Sequence, residues 1–316
     1  MVGLIADIGG TNARFALADP ASGIGEATVL PCAEQPSLVA ACEAYLGGLA
    51  PDQRPSRAAI CVACPVIGDQ VTLTNLPWSF SIEATRQELG LDVLSVVNDF
   101  TAVALAVPHL GPDELMQVGG GAPVPGAART VLGPGTGLGA SGLLPAGDGW
   151  VALNAEGGHV TMAATTDREA AVLDRLRARH GHASAERVLS GPGLVNLYHA
   201  LRAIDDLPVD ASITPADVAE RGIGDQCATC AEAMAMAAEM LGTFASNHAL
   251  TLGARGGVYI AGGIVPRYPE SFARSGFRRR FEDKGRFSDY LAAVPTYVVT
   301  CDVPAFIGLA GLIAKP

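Results

Sequence analysis

Short, nearly continuous apolar runs recur along the chain, several followed or interrupted by glycine, and read as strands. They predict strands over residues 2–6, 13–18, 58–63, 71–74, 93–97, 130–132, 138–144, 258–261 and 297–300. Between them lie segments with helical start signals. Ser81 is placed to cap one helix, Thr166-x-x-Glu169 spells a capping box before another, and Thr214-Pro215 puts proline at the first helical position of a third. A long helical pattern covers 225–252, and a last one follows Pro304. Alternating strands and helices argue for an α/β protein.

Glycine punctuates this pattern in five groups: Asp7-Ile-Gly-Gly-Thr-Asn12, Gly119-Gly-Gly121, Gly133-Pro-Gly-Thr-Gly-Leu-Gly139, Glu156-Gly-Gly-His159 and Ala261-Gly-Gly263. All but the second follow or interrupt a strand pattern, so they read as turns needing positive φ or close backbone approach. The opening plan of strand, Gly-Gly-Thr turn and strand returns at 130–144 as strand, Gly-Thr-Gly turn and strand. Two similar lobes with a cleft between them are expected, joined near the Gly/Pro-rich stretch 108–126.

Composition agrees with that division, since 316 residues exceed what one compact core usually fills. Apolar residues make up 49% and charged residues 17%, with a mean hydropathy of +0.30, far from a disordered composition. The 32 acidic residues outnumber 21 basic ones, and a net charge of −11 disfavours nucleic acid and anionic lipid as partners. No apolar stretch reaches the roughly 20 residues of a membrane span. Segment 306–314 is too short, and 227–241 carries Glu232 and Glu239. The first residues lack a basic, then apolar, signal pattern, so a cytoplasmic protein without membrane partners is expected. Seven cysteines do not suggest a secreted disulfide framework. Cys61/Cys64 and Cys227/Cys230 have C-x2-C spacing, but the pairs lie far apart and Cys61 sits inside an apolar run, so core thiols are expected over a metal or redox role.

Lys284 and Lys315 are the only lysines, and neither follows a P-loop glycine pattern. Phosphate binding would therefore fall to backbone amides. Gly9, Gly10, Thr11 and Asn12 can form an amide nest for phosphate oxygens, and Asp7 can orient a hydrated Mg²⁺. Gly135, Thr136 and Gly137 can hold the other side of a triphosphate. Each loop alone would also suit an ordinary hairpin; their place on equivalent hairpins favours nucleotide binding. Asn98-Asp99 ends a strand and would alone suit a turn. Together with Glu156, His159 and Glu186 it supplies the carboxylates, imidazole and amide that a sugar polyol needs.

The motifs Ala6-Asp-Ile-Gly-Gly-Thr-Asn-Ala-Arg14, Asn98-Asp-Phe-Thr-Ala102, Gly135-Thr-Gly-Leu-Gly139, Glu156-Gly-Gly-His159, Ala185-Glu-Arg-Val-Leu-Ser-Gly-Pro-Gly-Leu194, Ala261-Gly-Gly-Ile-Val-Pro266 and Phe281-Glu-Asp-Lys-Gly-Arg-Phe287 run over nearly the whole chain. Together they resemble bacterial ATP-dependent glucokinases of the non-repressor type, in the hexokinase and actin-like superfamily. The repressor-type relatives carry a Cys-rich zinc loop, and 160–180 contains no cysteine.

The resemblance implies a two-lobed, actin-like (ribonuclease H-like) α/β fold with a central cleft. A smaller domain would comprise 1–109 plus 302–316, and a larger one 110–301. It implies transfer of the ATP γ-phosphoryl group to the 6-hydroxyl of glucose, with lobe closure excluding water. Asp99 would be the base and, with Asn98, Glu156, His159 and Glu186, bind the sugar. Gly9–Asn12 and Gly135–Gly137 would bracket the phosphates, Gly262 and Gly263 would pass near the adenosine, and Asp7 would hold Mg²⁺ through water. Family members commonly form homodimers, for which the apolar 227–252 helix offers a face. Kinases of fructose or mannose, or a non-catalytic sugar sensor, are the other readings.

Overall fold

A computed structural model of the chain describes residues 2–50 and 53–314. Met1, Lys315 and the far end of the expected 302–316 segment lie outside the described residues. In chain order come β1 (Gly3–Ile8), β2 (Asn12–Asp19), β3 (Gly23–Ile24), β4 (Thr28–Pro31), α1 (Leu38–Leu46), β5 (Arg57–Val62), β6 (Gln70–Thr72), β7 (Ser79–Ser81), α2 (Ile82–Glu88), β8 (Val93–Asn98) and α3 (Asp99–Ala106). Next are β9 (Leu115–Gln117), β10 (Arg129–Pro134), β11 (Leu138–Ala146), β12 (Gly149–Ala152), α4 (Asp167–His180), α5 (Gly191–Ile204), α6 (Pro215–Ile223) and α7 (Ala228–Leu252). The chain closes with β13 (Val258–Ile260), α8 (Pro269–Ala273), α9 (Phe277–Glu282), α10 (Ser288–Ala292), β14 (Thr296–Val299) and α11 (Pro304–Ile313).

Two compact units form. One contains Met1–Gly111, Trp150–Ala155 and Cys301–Pro316; the other contains Pro112–Gly149 and Glu156–Thr300. The first crossing falls inside the 108–126 linker stretch. The excursion Trp150–Ala155, which sequence places with the larger domain, packs with the first unit, where the Asn154 side-chain amide donates to the Val66 carbonyl at 2.8 Å.

In the first unit the strand order is β3-β2-β1-β5-β8, with β4 also pairing with β2. β1 and β2 form the predicted antiparallel hairpin, whereas β1, β5 and β8 run parallel. β5 is buried from Ala58 to Val62, which explains its unbroken apolar run: a parallel sheet covered on both faces has no polar side. α3 and α11 pack against each other, and α11 lies on β1 and β5. Leu4, Ile8, Phe15, Leu38, Ile60 and Val62 centre the core.

The second unit repeats this plan. β10 and β11 form an antiparallel hairpin, and β10, β13 and β14 run parallel. The order β11-β10-β13-β14 thus matches β2-β1-β5-β8, and the hairpin echo legible in sequence extends to four strands. α7 packs against α5, α6 and α9. Its Met240, Leu241, Phe244 and Ala245 are buried with Leu197, Phe277 and Phe281. The apolar face suggested for dimerisation is therefore the core of this unit, as expected of a helix apolar on most sides.

Local start signals mostly act as written. Ser81 accepts the Ala84 amide at 3.0 Å, and Thr214 and Asp217 form a reciprocal capping box. At α4 the box is half formed. Thr166 accepts the Glu169 amide, but the Glu169 carboxylate turns to Thr165 and to buried Arg280, 2.8 Å away, because an ion pair out of water outweighs a cap. α7 starts at Ala228 instead of 225, since Asp225 adopts a left-handed φ of 54° and Cys227 is the N-cap.

Candidate active site

Parallel β1, β5 and β8 bring their carboxyl ends to one edge, where open α/β sheets bind ligands. In register Asp7 lies opposite Cys61, and Val62 opposite Asn98. The Asp7 carboxylate meets the Cys61 thiol at 3.5 Å and the Arg14 guanidinium at 3.6 Å. Burial raises its pKa, opposed by these two partners. The following turn closes when the Gly9 amide donates to the Asn12 carbonyl at 3.0 Å, and the Thr11 carbonyl accepts the Cys32 amide at 2.9 Å. The Gly9 amide is thus engaged within the turn. Gly10 and Thr11 are exposed.

Asn98 is the N-cap of α3, and its Oδ1 accepts the amides of Phe100 and Thr101 at 2.9 and 3.2 Å. Its Nδ2 donates to the Cys64 carbonyl at 3.4 Å. Its first duty is therefore to begin the helix whose first residue is Asp99. One Asp99 oxygen accepts the Phe100 amide at 2.9 Å, which fixes the carboxylate at the helix start.

In the second unit Leu138, first residue of β11, organises the other half of the predicted residues. Its amide donates to Glu186 Oε2 at 2.9 Å. A Cβ on neighbouring Gly137 would stand 2.6 Å from that same oxygen, so a side chain there would displace the carboxylate. The Leu138 carbonyl faces Gly158, where an added Cβ would fall 2.0 Å from it. The 3-10 turn Gly157–His159 is thereby pressed onto β11, and His159 Nε2 lies 3.9 Å from Glu156 Oε2. The Glu156–His159 loop is also stitched to the segment carrying Glu186: the Met162 amide donates to the Ala183 carbonyl and the Ala185 amide to the Val160 carbonyl.

The turn Gly135–Gly137 closes through the Gly135 amide and Gly137 carbonyl at 2.8 Å, leaving Thr136 exposed. The Gly135 carbonyl accepts the Gly191 amide at 2.7 Å, so the N-terminus of α5 abuts this turn. The Ile264 amide donates to the Pro134 carbonyl, which brings Gly262 and Gly263 alongside. Gly262 is the one predicted site glycine with a left-handed φ, 85°. Beside Gly263 opens a cavity of about 280 Å³, lined by Leu194, Thr214, Pro215, Ala216, Arg267 and Tyr268 among others.

The α5 terminus and this cavity were not foreseen. Ser190-Gly-Pro-Gly193, a cap followed by proline in the first turn, was a legible signal for the former. The cavity had none, because its walls come from three separate segments. No group of three or more metal-ligating side chains occurs among the described residues.

The sequence profile described as Glucokinase matches residues 4–316. The chain is 54% identical over 314 residues to the glucokinase of Paramagnetospirillum magneticum, covering 99% of this chain and 98% of that protein. It spans 49% of the bifunctional protein glk of Paraburkholderia xenovorans, with 50% identity over 313 residues. Among solved structures, a glucokinase from an Antarctic psychrotroph superposes with a TM-score of 0.88 at 37% identity, over 99% of each chain. The ROK family glucokinase of Streptomyces griseus, solved with glucose and AMPPNP, has a TM-score of 0.66 at 18% identity, over 99% of each chain, and shares the fold. With its duplicated hairpin sheets, the chain has the two-lobed actin-like α/β fold and belongs to the glucokinase family of ATP-dependent sugar kinases that phosphorylate glucose.

Proposed function

We propose that the chain transfers the ATP γ-phosphoryl group to the 6-hydroxyl of glucose, with Asp99 as general base. The observation that supports this reading is the bond between the Glu186 carboxylate and the Leu138 amide, which holds that carboxylate against the end of the Gly135–Gly137 turn. Glu186, Glu156 and His159 accept and donate to the sugar hydroxyls, and the second Nδ2 hydrogen of Asn98 adds a donor. Thr136, Gly137, Gly10, Thr11 and Asn12 supply amides and hydroxyls to the phosphates, since the Gly9 and Gly135 amides close their turns. The α5 N-terminus beside Gly135 adds its dipole. Gly262, Gly263 and the adjoining cavity receive the adenosine.

Phosphoryl transfer leaves the protein two tasks, holding the acceptor in line and balancing charge on the phosphate oxygens. Asp99, fixed at the start of α3, takes the hydroxyl proton as the oxygen attacks. The single hard oxygen donor Asp7, at a strand end and half-buried, suits Mg²⁺, which favours one or two carboxylates with water and substrate phosphates. When bound there through water, Mg²⁺ neutralises phosphate charge.

The proposed setting is the cytoplasm and the proposed assembly a homodimer, both carried by the family resemblance and the second checked by sedimentation equilibrium. Asp99→Ala, assayed by coupled ADP release, is expected to lose about 10²–10⁴ in turnover while calorimetry still shows glucose binding. Near-normal kcat in that variant would remove Asp99 from the base role. In a panel of hexoses glucose is expected to turn over fastest; equal rates with fructose or mannose would make the chain a general hexose kinase.

A further inference from the structure

Cys227 and Cys230 have no part in the proposed reaction, and the structure sets them apart from the chain's other C-x2-C pair. Cys227 is the N-cap of α7, and its Sγ accepts the Cys230 amide at 3.4 Å. Cys227 is partly exposed between exposed neighbours Gln226 and Ala228, whereas Cys230 is wholly buried. Cys61 and Cys64 share the spacing, but both are buried, Cys61 inside β5 with its thiol on Asp7. As N-cap, Cys227 stands three residues before Cys230 and turns its sulfur back onto the first turn of α7, which brings Cys227 Sγ to the Cys230 backbone.

The surroundings assign different duties to the two sulfurs. Burial disfavours the Cys227 thiolate, but the Cys230 thiol, the Cys230 and Thr229 amides and Arg202 outweigh it and bring the thiol below its usual range. Arg202 is held nearby, its guanidinium 3.4 Å from Thr229 Oγ1. Burial, then the bond to Cys227, raises Cys230, against weaker pulls from Arg221 and Arg202. An accessible, ionisable sulfur followed by a buried, protonated one is the arrangement of an attacking and a resolving thiol.

We propose that Cys227 and Cys230 form a thiol–disulfide exchange site for low-molecular-weight disulfides of the glutathione type. The Cys227 thiolate attacks one sulfur of the small disulfide, forming a mixed disulfide and releasing one small thiolate, which takes up a proton. Cys230 gives up its proton and attacks Cys227 Sγ, forming the internal disulfide and releasing the second small thiol. The protein pair loses two electrons and two protons, and the small disulfide is reduced to two thiols.

The new bond withdraws Cys227 Sγ from its capping position. Gly222 of α6 packs so closely on the Cys230 carbonyl that an added Cβ would lie 2.7 Å from that oxygen. α6 also supplies Pro215, Ala216 and Ala219 to the cavity beside Gly263. Oxidation therefore reaches that cavity through α6, a consequence that rests on the adenosine reading above.

The test equilibrates the full chain in glutathione redox buffers, quenches with acid, alkylates, and reads peptide masses. The peptide holding both residues is expected to gain an internal disulfide as oxidised glutathione rises. Cys230→Ala accumulates a glutathione adduct on Cys227, and Cys227→Ser, which keeps a capping oxygen, leaves Cys230 unmodified. Absence of the internal disulfide in fully oxidising buffer, or preferential adduct formation at Cys301, overturns the proposal. The oxidised wild type is also expected to show a raised KM for ATP, restored by a dithiol, that oxidised Cys227→Ser lacks. An unchanged KM for ATP in the disulfide form overturns the link through α6. Failure of the reduced chain to phosphorylate glucose would instead sink the nucleotide reading and leave the mass result standing.

Discussion

Gly137→Ala is the sharpest test of the link between sugar and phosphate residues. The new methyl would sit 2.6 Å from Glu186 Oε2 and 3.5 Å from its carboxyl carbon. Ordinary contact requires that oxygen to retreat, and retreat stretches or breaks its 2.9 Å bond to the Leu138 amide. A hydrogen bond to a charged group contributes about 1.5–3 kcal/mol. Because Glu186 is only half-buried and ends a flexible chain, the carboxylate can swing away and be resolvated, so the folded state loses little. The deficit appears when glucose binds and the carboxylate must be returned to place. At about 1.4 kcal/mol per decade, kcat/KM for glucose should fall roughly ten- to a hundredfold, mostly in KM. Coupled glucose 6-phosphate formation measures the kinetics, and thermal unfolding checks that the melting temperature stays close to the parent's. Wild-type kcat/KM in a folded Gly137→Ala protein would refute the argument that the turn holds Glu186 for the sugar.

Glu156→Gln and His159→Ala should chiefly raise KM for glucose and weaken discrimination among hexoses; untouched glucose kinetics in both would show the pocket assignment to be wrong. Arg280→Leu leaves Glu169, 2% exposed, without its cation and should cost about 3–5 kcal/mol in urea unfolding, most of it recovered when Glu169→Leu is added. A double variant no more stable than the single one would contradict that account. His248 is packed against Gly157 and Phe244, and burial lowers its pKa. The unfolded chain thus binds the extra proton, so stability is whole above the unfolded pKa of about 6.5 and declines as pH falls towards the lowered native value. His180 is shifted the same way, so His248→Gln should remove part of that decline between neutral and mildly acidic pH. Denaturation midpoints that keep the full decline would exclude His248 as a source.

Much of the site is legible along the chain because its elements are local. A strand ending in Asp7, a glycine turn and a returning strand are decided by neighbours a few positions apart, as is the Thr214 cap. The same holds for Asn98 and Asp99, where a strand gives way to a helix, although sequence did not show that Asn98 would be the cap. Short edge strands such as β3, β4 and β9 escaped notice, since two to four residues carry too little periodicity and owe their pairing to the strand beside them. The match between the two sheets was visible only at the hairpins. In the second unit the chain from Glu156 to Gly257, including α4 to α7, separates the hairpin from its parallel neighbour β13.

The sequence by itself determined the fold class and the places of the glycine turns and of the carboxylates, imidazole and amide that the proposed function uses. Each follows from side-chain pattern and backbone permissiveness within a short window. Tertiary packing decided which of those residues meet. Leu138 joins Glu186 across 48 positions and presses Gly158 against its own carbonyl, contacts between segments that sequence spacing cannot register. It also decided that one C-x2-C pair is buried, with Cys61 inside β5 and Cys64 just beyond it, while the other lies at a helix N-terminus with one sulfur in reach of solvent. Identical spacing gave no hint of that difference, because burial and neighbouring charge arise only when distant elements close around a residue.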